Sequence, residues 1–437
     1  MLTLSGTVTA VRSPLVYADL FGGAVGSFVK ISSRAVGKGP LSARIVAFEG
    51  ERCFLSPLGS LDRVAVGDKV ELLSTTTSIA VPYSPLGYVL DAEGKILFGE
   101  FGSDGEFISL DCFAPAPRPL ERSCSFEWFP TKTVSIDTLL PLWTGQRLAV
   151  LAEPGVGKTS LLRRLAVRNP EIPTVVALIG ERGIEVSQFI EELRSEGGLQ
   201  NSVVVASTSD EPPLRRALAA YTAVAIAEHL AASGKHVQLL FDSITRFARS
   251  LREIGLASGE TPVRRGYPAS VFRQLPELIE RTGPLRRGSI TAFFTVLKSG
   301  TIDEDPITEE ICSLTDGHIT LSKTLAEAGV FPAIDVVASL SRNSERILNA
   351  EEQDKIRAIR SALSTAAAEE DLIRMGGSPL YDSTVRVLQN KQEIQQLLTS
   401  TQNIESEQDG WAGKILTIRG RLVGIVGGEG LSSNLDS

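Results

Sequence analysis

The run Ala152-Glu-Pro-Gly-Val-Gly157-Lys158-Thr159, followed by Ser160, carries the residue types needed to hold a polyphosphate. Glycines at 155 and 157 leave backbone N–H groups free to close around phosphate oxygens, where side chains would obstruct them. A helix starting at the lysine adds its positive dipole end. Lys158 is then placed to bridge the β- and γ-phosphates, and the Thr159 hydroxyl to bind Mg²⁺. The run departs from the strict G-x-x-x-x-G-K-[ST] pattern only at Ala152, a small residue. Glu153, an acid beside a polyanion, is tolerated there if it points outward. The loop predicts nucleoside triphosphate binding through Gly155, Val156, Gly157, Lys158, Thr159 and Ser160.

Two carboxylates close apolar runs further along. Asp242 ends VQLLFD, and the C-terminal end of a buried strand is where doubly wound sheets place ligand groups. In P-loop proteins such an acid holds Mg²⁺. Glu181 ends TVVALIG in the same manner and opens GERGIEV. It can orient an attacking water or take its proton, or it can pair with Arg182 or another arginine.

These groups need rigid mounts. LAVL (148–151) precedes the glycine-rich loop and the helical text TSLLRRLAVR follows it; TVVALI, VVVA, VQLLF and TAFFTV are further short runs, apolar on both faces. Amphipathic stretches such as LRRALAAYTAVAIAEHLAASG separate them, the pattern of a parallel sheet covered by helices on both sides. Residues 1–75 read differently, as short β-rich runs punctuated by glycine and aspartate, which predicts a small barrel or sandwich. The Pro-rich stretch CFAPAPRPLERS reads as an extended connection. Beyond about Glu345 the text turns helical: Asn349 is an N-cap with Glu352 three residues on, and Gly376-Gly377 a stop. Another helix is expected from Asp382-Ser383 through VRVLQNKQEIQQLL. KILTI and RLVGIV, after Trp411, are expected to pair as a hairpin before a frayed Gly/Ser tail.

Composition bounds the rest. The 437 residues carry 44 Lys plus Arg against 52 Asp plus Glu, a formal charge of −8, with ordinary globular hydrophobicity. Residues 1–75 hold 8 basic and 6 acidic side chains, too balanced for a strong nucleic-acid footprint. Cys53, Cys112, Cys124 and Cys312 lack metal-ligand spacing and read as reduced, buried small hydrophobes. No secretory signal pattern and no run of bilayer-spanning length is visible, so a cytoplasmic protein is expected.

Several ordered stretches resemble one family. GQRLAVLAEPGVGKTSLL, ALIGERGIEVSQFIEEL, LLFDSITRFARSLREIGLASGETPVRRGYPASVF, DGHITLSKTLAEAGVFPAIDV and ASLSR resemble the flagellar and type III secretion ATPases, relatives of the rotary ATP synthase catalytic subunits. The resemblance implies an α/β, RecA-like P-loop NTPase core (76–345, with its lead-in linker), an N-terminal β-barrel domain (1–75) and a C-terminal helical domain with an irregular tail (346–437). It makes Glu181 the catalytic glutamate, with Lys158 and Arg182 beside it in the catalytic set. Phe331 becomes the aromatic that stacks on adenine, and Arg342 a finger reaching a neighbouring subunit's γ-phosphate. Thr159 and Asp242 would hold Mg²⁺, with ATP as the nucleotide. The implied partners are five further copies in a homohexamer, stator and central-stalk proteins, an export gate and chaperone–substrate complexes, at the cytoplasmic face of the inner membrane, with no nucleic acid.

Departures from the family pattern accompany the matches. Ile184 stands where arginine is usual in GERGREV, Cys312 replaces a common arginine before DGH, and Lys298-Ser299 stand where an acid is common. The tail from Trp411 has no clear counterpart. An RNA-translocating hexamer resembling the Rho terminator, and a non-catalytic nucleotide-holding ring subunit, are the alternative readings. The near-neutral barrel weighs against the first and the presence of Glu181 against the second.

Overall fold

The computed structural model describes residues 4–32, 39–74, 78–99, 106–298, 305–399 and 410–427. Ser299 and the Gly/Ser tail from 428 onward lie outside the described residues. The fold is α/β, with a closed barrel, a nucleotide-binding core of mainly parallel strands and C-terminal helices, as expected. By compactness the chain divides into two units: Met1–Ser123 with Pro170–Leu314, and Cys124–Asn169 with Thr315–Ser437.

The first unit opens with six antiparallel strands: Ser5–Arg12, Leu15–Asp19, Phe28–Ser32, Leu41–Glu49, Arg52–Pro57 and Lys69–Ser74. They close as a barrel, in the order first, second, fifth, fourth, third, sixth, which settles barrel over sandwich. Alternation does the work: Leu41, Ala43 and Ile45 point inward from one strand, against Val8, Val16, Val29, Leu55 and Val70 from the others. Cys53 joins this core and donates to the Ala18 carbonyl at 3.2 Å; burial pushes its thiol up to about 11.

The same unit contains parallel strands in the order Ser289–Leu297, His236–Asp242, Thr174–Glu181, Ser202–Thr208 and Val89–Leu90. All eight residues of Thr174–Glu181 are buried, the mark of a strand covered on both faces. The alanine-rich helix Pro213–Ala232 packs on it, and its small side chains allow close approach to the strands. At the turn after the helix Ala269–Ile279, Arg281 is fully buried. It grips Glu228 with Nε at 2.8 Å and Nη2 at 2.6 Å and donates to the Cys112 carbonyl at 2.5 Å.

In the second unit the strand Arg147–Ala152 pairs in parallel with Gly317–Leu321, and Ile334–Ser341 adds an antiparallel edge. The helix Lys158–Arg168 buries Leu161, Leu162, Leu165 and Ala166 along one face. Helices Ala350–Arg374, Asp382–Gln389, Lys391–Thr399 and Gly410–Gly427 complete the unit. The Asn349 side chain accepts from the Glu352 N–H at 2.8 Å, capping the first of these as its sequence predicts.

Three expectations need correction. The helix foreseen from 382 through the QQLL run is two helices, divided at Asn390, whose side-chain amide donates to the Arg386 carbonyl at 2.9 Å and competes there with its own backbone N–H at 3.0 Å. The foreseen hairpin after Trp411 is one helix: Ile415, Ile418, Leu422 and Val426 are buried at helical spacing, and Arg419 is buried with them. A register alternating every second residue would have turned Ile415 and Arg419 to the face opposite Ile418, Leu422 and Val426. Finally, the cysteines are all free, but only Cys53 and Cys112 are buried; Cys124 is exposed and Cys312 half-buried. Among the described residues, no helix is long and apolar enough to cross a membrane.

Candidate active site

The phosphate loop joins the strand Arg147–Ala152 to the helix Lys158–Arg168. Gly155 and Gly157 have φ of +82° and +90°, in the left-handed region that other residues enter at a cost. Val156 between them is buried and anchors the loop, whereas Glu153 is exposed, outward as its charge requires. Lys158 is half-exposed in the first turn of the helix, and Thr159 and Ser160 are exposed beside it. A Cβ added at Gly157 would meet two carbons of the Phe331 ring at 3.2 and 3.3 Å. The loop and the predicted base-stacking aromatic are therefore neighbours, and Phe331 is 47% exposed, with ring surface to offer.

Arg342 follows the edge strand Ile334–Ser341 and is held by its backbone. Its N–H donates to the Asp316 carbonyl at 2.9 Å, and its own carbonyl accepts from Trp143 Nε1 at 3.0 Å. The side chain is exposed and makes no ion pair among the described residues. Two further residues brace this mount. Arg360 donates to the Val336 and Ser339 carbonyls at 2.5 and 2.7 Å, and burial lowers its pKa. Asp316, of the DGH motif, accepts from the Arg147 N–H at 2.9 Å and Nε at 3.2 Å, tying the start of the P-loop strand to the backbone mount of Arg342. Sequence reasoning gave Asp316 and Arg360 no role.

In the other unit, Glu181 and Asp242 end neighbouring parallel strands, both buried. Asp242 Oδ1 accepts from Thr295 Oγ1 at 2.7 Å, on the next strand, which orients the carboxylate. Glu181 is clasped by Arg246: Nε lies 3.0 Å from Oε1, and Nη1 donates to the Gly180 carbonyl at 2.6 Å. Gly180 has φ +69°, and a Cβ there would press on Arg246 at 3.2 Å. The arginine is delivered by the first turn of the helix Ile244–Ala257, whose N-cap Ser243 accepts from the Arg246 N–H. The partner left open in the sequence is thus Arg246. Arg182 is turned away, its side chain 73% exposed and 3.9 Å from Glu185. Ile184 is also exposed, on the first turn of the next helix. The one hint of Arg246 in the sequence was a cation one turn after the strand-ending Asp242.

One unit thus carries a glycine-lined anion cradle with a cationic helix start beside a half-exposed aromatic, and the other carries two buried strand-end carboxylates, one of them clasped by an arginine. Residues 133–341 match the sequence model of the ATP synthase alpha/beta family, nucleotide-binding domain. The chain is 42% identical over 371 residues to the flagellum-specific ATP synthase of Treponema pallidum, covering 85% of this chain and 83% of that one. It is 41% identical over 395 residues to the type 3 secretion system ATPase of Pseudomonas savastanoi pv. phaseolicola, covering 88% and 87%. The chain belongs to the flagellar and type III secretion ATPase family. The assembled ATPase EscN of the enteropathogenic E. coli type III secretion system superposes with a TM-score of 0.85 at 34% identity. That match covers 96% of this chain and all of EscN's. EscN in complex with its central stalk EscO gives a TM-score of 0.83. Like its relatives, this family member is an ATPase.

Proposed function

We propose that the chain is the ATP-hydrolysing motor subunit of a flagellar or type III protein export apparatus, and that it works as a homohexamer around a central stalk. Hydrolysis then drives chaperone release, unfolding or delivery of export substrates at an export gate, with a stator protein holding the ring at the cytoplasmic face of the inner membrane. The hexamer and stalk draw on EscN, which is described as assembled and as bound to its stalk EscO. The absence of a membrane-length helix among the described residues fits a peripheral placement.

The observation that carries the catalytic reading is the buried Glu181 in the clasp of Arg246. A buried carboxylate held in one orientation is suited to general-base work on a water. Glu181 aligns the attacking water and draws on its proton, while Arg246 keeps the carboxylate aimed. Gly155, Val156, Gly157 and Ser160 offer backbone N–H groups to the phosphates, and Lys158 balances their charge. Phe331 stacks on the base. Arg342, projecting from its pinned backbone, reaches the γ-phosphate held by a neighbouring copy; Arg182 serves the same charge at longer range. The donor set fits a hard divalent cation: the Thr159 hydroxyl is exposed, and the oriented Asp242 carboxylate supplies charge. Mg²⁺ held by these two neutralises phosphate charge when bound.

Glu181→Gln tests this directly. Phosphate release should fall at least about a thousandfold while Mg-ADP affinity stays within a few-fold of wild type. Turnover that survives the substitution removes Glu181 from the mechanism. Wild type that binds ATP yet releases no phosphate at any protein concentration supports the nucleotide-holding role instead.

A further inference from the structure

The C-terminal helix Gly410–Gly427 has no part in the chemistry above, yet its polar contacts lead toward the phosphate loop. The helix that begins with Lys158 ends at Arg168-Asn169. There the Arg168 guanidinium donates to the Lys132 carbonyl, and Asn169 Nδ2 donates to the Pro130 carbonyl at 2.9 Å. Lys132 itself has φ +56°, an unfavourable conformation for a side-chain-bearing residue unless its surroundings enforce it.

Asp137 enforces it. This fully buried carboxylate accepts from the Thr131 N–H at 3.0 Å and Thr131 Oγ1 at 2.8 Å on one oxygen. On the other it accepts from the Lys132 N–H at 3.0 Å and from Trp411 Nε1 at 2.7 Å. The Lys132 ammonium lies 5.6 Å from the centre of the Trp411 ring. One turn pair further along the same helix, Arg419 is buried and donates to the Thr138 and Asp137 carbonyls at 2.8 Å each and to Glu352 at 2.7 Å. The helix is thereby locked in both rotation and translation against Asp137.

We infer that Trp411 and Asp137 are positioning residues for nucleotide binding. The C-terminal helix, through Asp137 and the left-handed Lys132, fixes the far end of the P-loop helix and so the aim of the N–H groups at its near end. A shift of a few tenths of an ångström at Lys132 moves a rigid helix of three turns as a body, and phosphate hydrogen bonds are sensitive to such displacements. The inference rests on ATP occupying the phosphate loop.

Calorimetric titration of the full-length chain with Mg-ADP tests it. Trp411→Phe keeps the ring packing and deletes the donor. It should weaken Mg-ADP binding about three- to tenfold and raise KM for ATP in proportion, with kcat within about twofold. Adding Lys132→Gly, which adopts φ +56° without strain, should restore most of that affinity. Unchanged ADP affinity in Trp411→Phe overturns the inference even where the thermal midpoint drops, because a purely structural strut would lower stability alone. Affinity that falls but is not restored by Lys132→Gly also overturns it. Should Trp411→Phe fail to fold, Asp137→Asn carries the same expected loss, and wild-type affinity in that variant is equally fatal. A wild-type chain that binds no Mg-ADP sinks the nucleotide reading itself, a separate failure.

Discussion

Glu181 and Arg342 both stand at the C-terminal ends of core strands, and they are held in opposite ways. Glu181 is fixed through its side chain: it is buried, its backbone turns at Gly180, and Arg246 fills the space beside it. Arg342 is fixed through its backbone, pinned at both N–H and C=O, with an exposed guanidinium. A group that acts within its own chain gains from a preorganised, desolvated setting. A group meant for another chain must stay reachable, so rigidity is invested in its mount. The difference between the two strand ends is the one expected if the proposed site draws Glu181 from one copy and Arg342 from another.

The contrast breaks most visibly on mixing variants. Lys158→Ala and Arg342→Ala should each lower ATP turnover by about 10³ or more. Equal mixtures should regain a measurable fraction, since an intact loop on one chain then meets an intact arginine on another. If mixtures are no more active than either variant, Arg342 works in its own chain or not at all. At Arg246, which clasps Glu181, the expected effect is smaller and of another kind. Arg246→Ala should cut kcat about 10- to 100-fold with ADP affinity within a few-fold, and Arg246→Lys should recover only part, because a single ammonium cannot serve both Glu181 and the Gly180 carbonyl. A loss confined to KM would make Arg246 a phosphate ligand rather than a clasp.

Stability against pH sharpens the picture in the other unit. Burial pushes the Asp137 carboxyl up to about 6, against hydrogen bonds from Thr131, Trp411 and Lys132 that pull it down. Between pH about 4 and about 6 the folded chain therefore holds a proton that the unfolded chain has released. Asp137 thus lowers stability as pH rises through that window. Glu352 has the opposite sign: burial alone would raise its pKa, but hydrogen bonds from Arg419 and Lys355 outweigh it and the net shift is downward. Its contribution is present at neutral pH and lost as pH falls through the carboxylate range. Chemical denaturation from pH 4 to 7 should show Asp137→Asn losing the first slope and Glu352→Gln the second. The smallest effect is expected at position 184. Ile184→Arg restores the cation usual in the family, yet on an exposed first turn, with Glu181 already clasped by Arg246, it should change kcat by no more than about twofold.

What could be read in the sequence follows from how local each requirement is. The phosphate loop was legible because its geometry is set by a few consecutive residues, and strand-end carboxylates because apolar runs announce their own ends. Arg246 was not, since its partner lies in a distant strand and nothing in GERGIEV or DSITRFARS names the other. Nor was the C-terminal helix. Gly413, Gly420 and Gly424 lower its intrinsic helicity, its β-branched residues favour strands, and Arg419 at a buried position disguises the apolar stripe. Tertiary contacts with Asp137 and Glu352 decide the matter there.

The hydrogen bond from Trp411 to Asp137 joins residues 274 positions apart, and the unit containing both is interrupted by the whole stretch Pro170–Leu314. During synthesis the barrel and the carboxylate strands emerge with most of their partners already made, whereas the phosphate loop's surroundings wait for the helix that carries Trp411. A ribosome-bound chain ending before Trp411 should hold a finished barrel but an unfinished nucleotide seat. Such timing keeps a part-made chain from capturing ATP before the helix that carries Trp411 has been added.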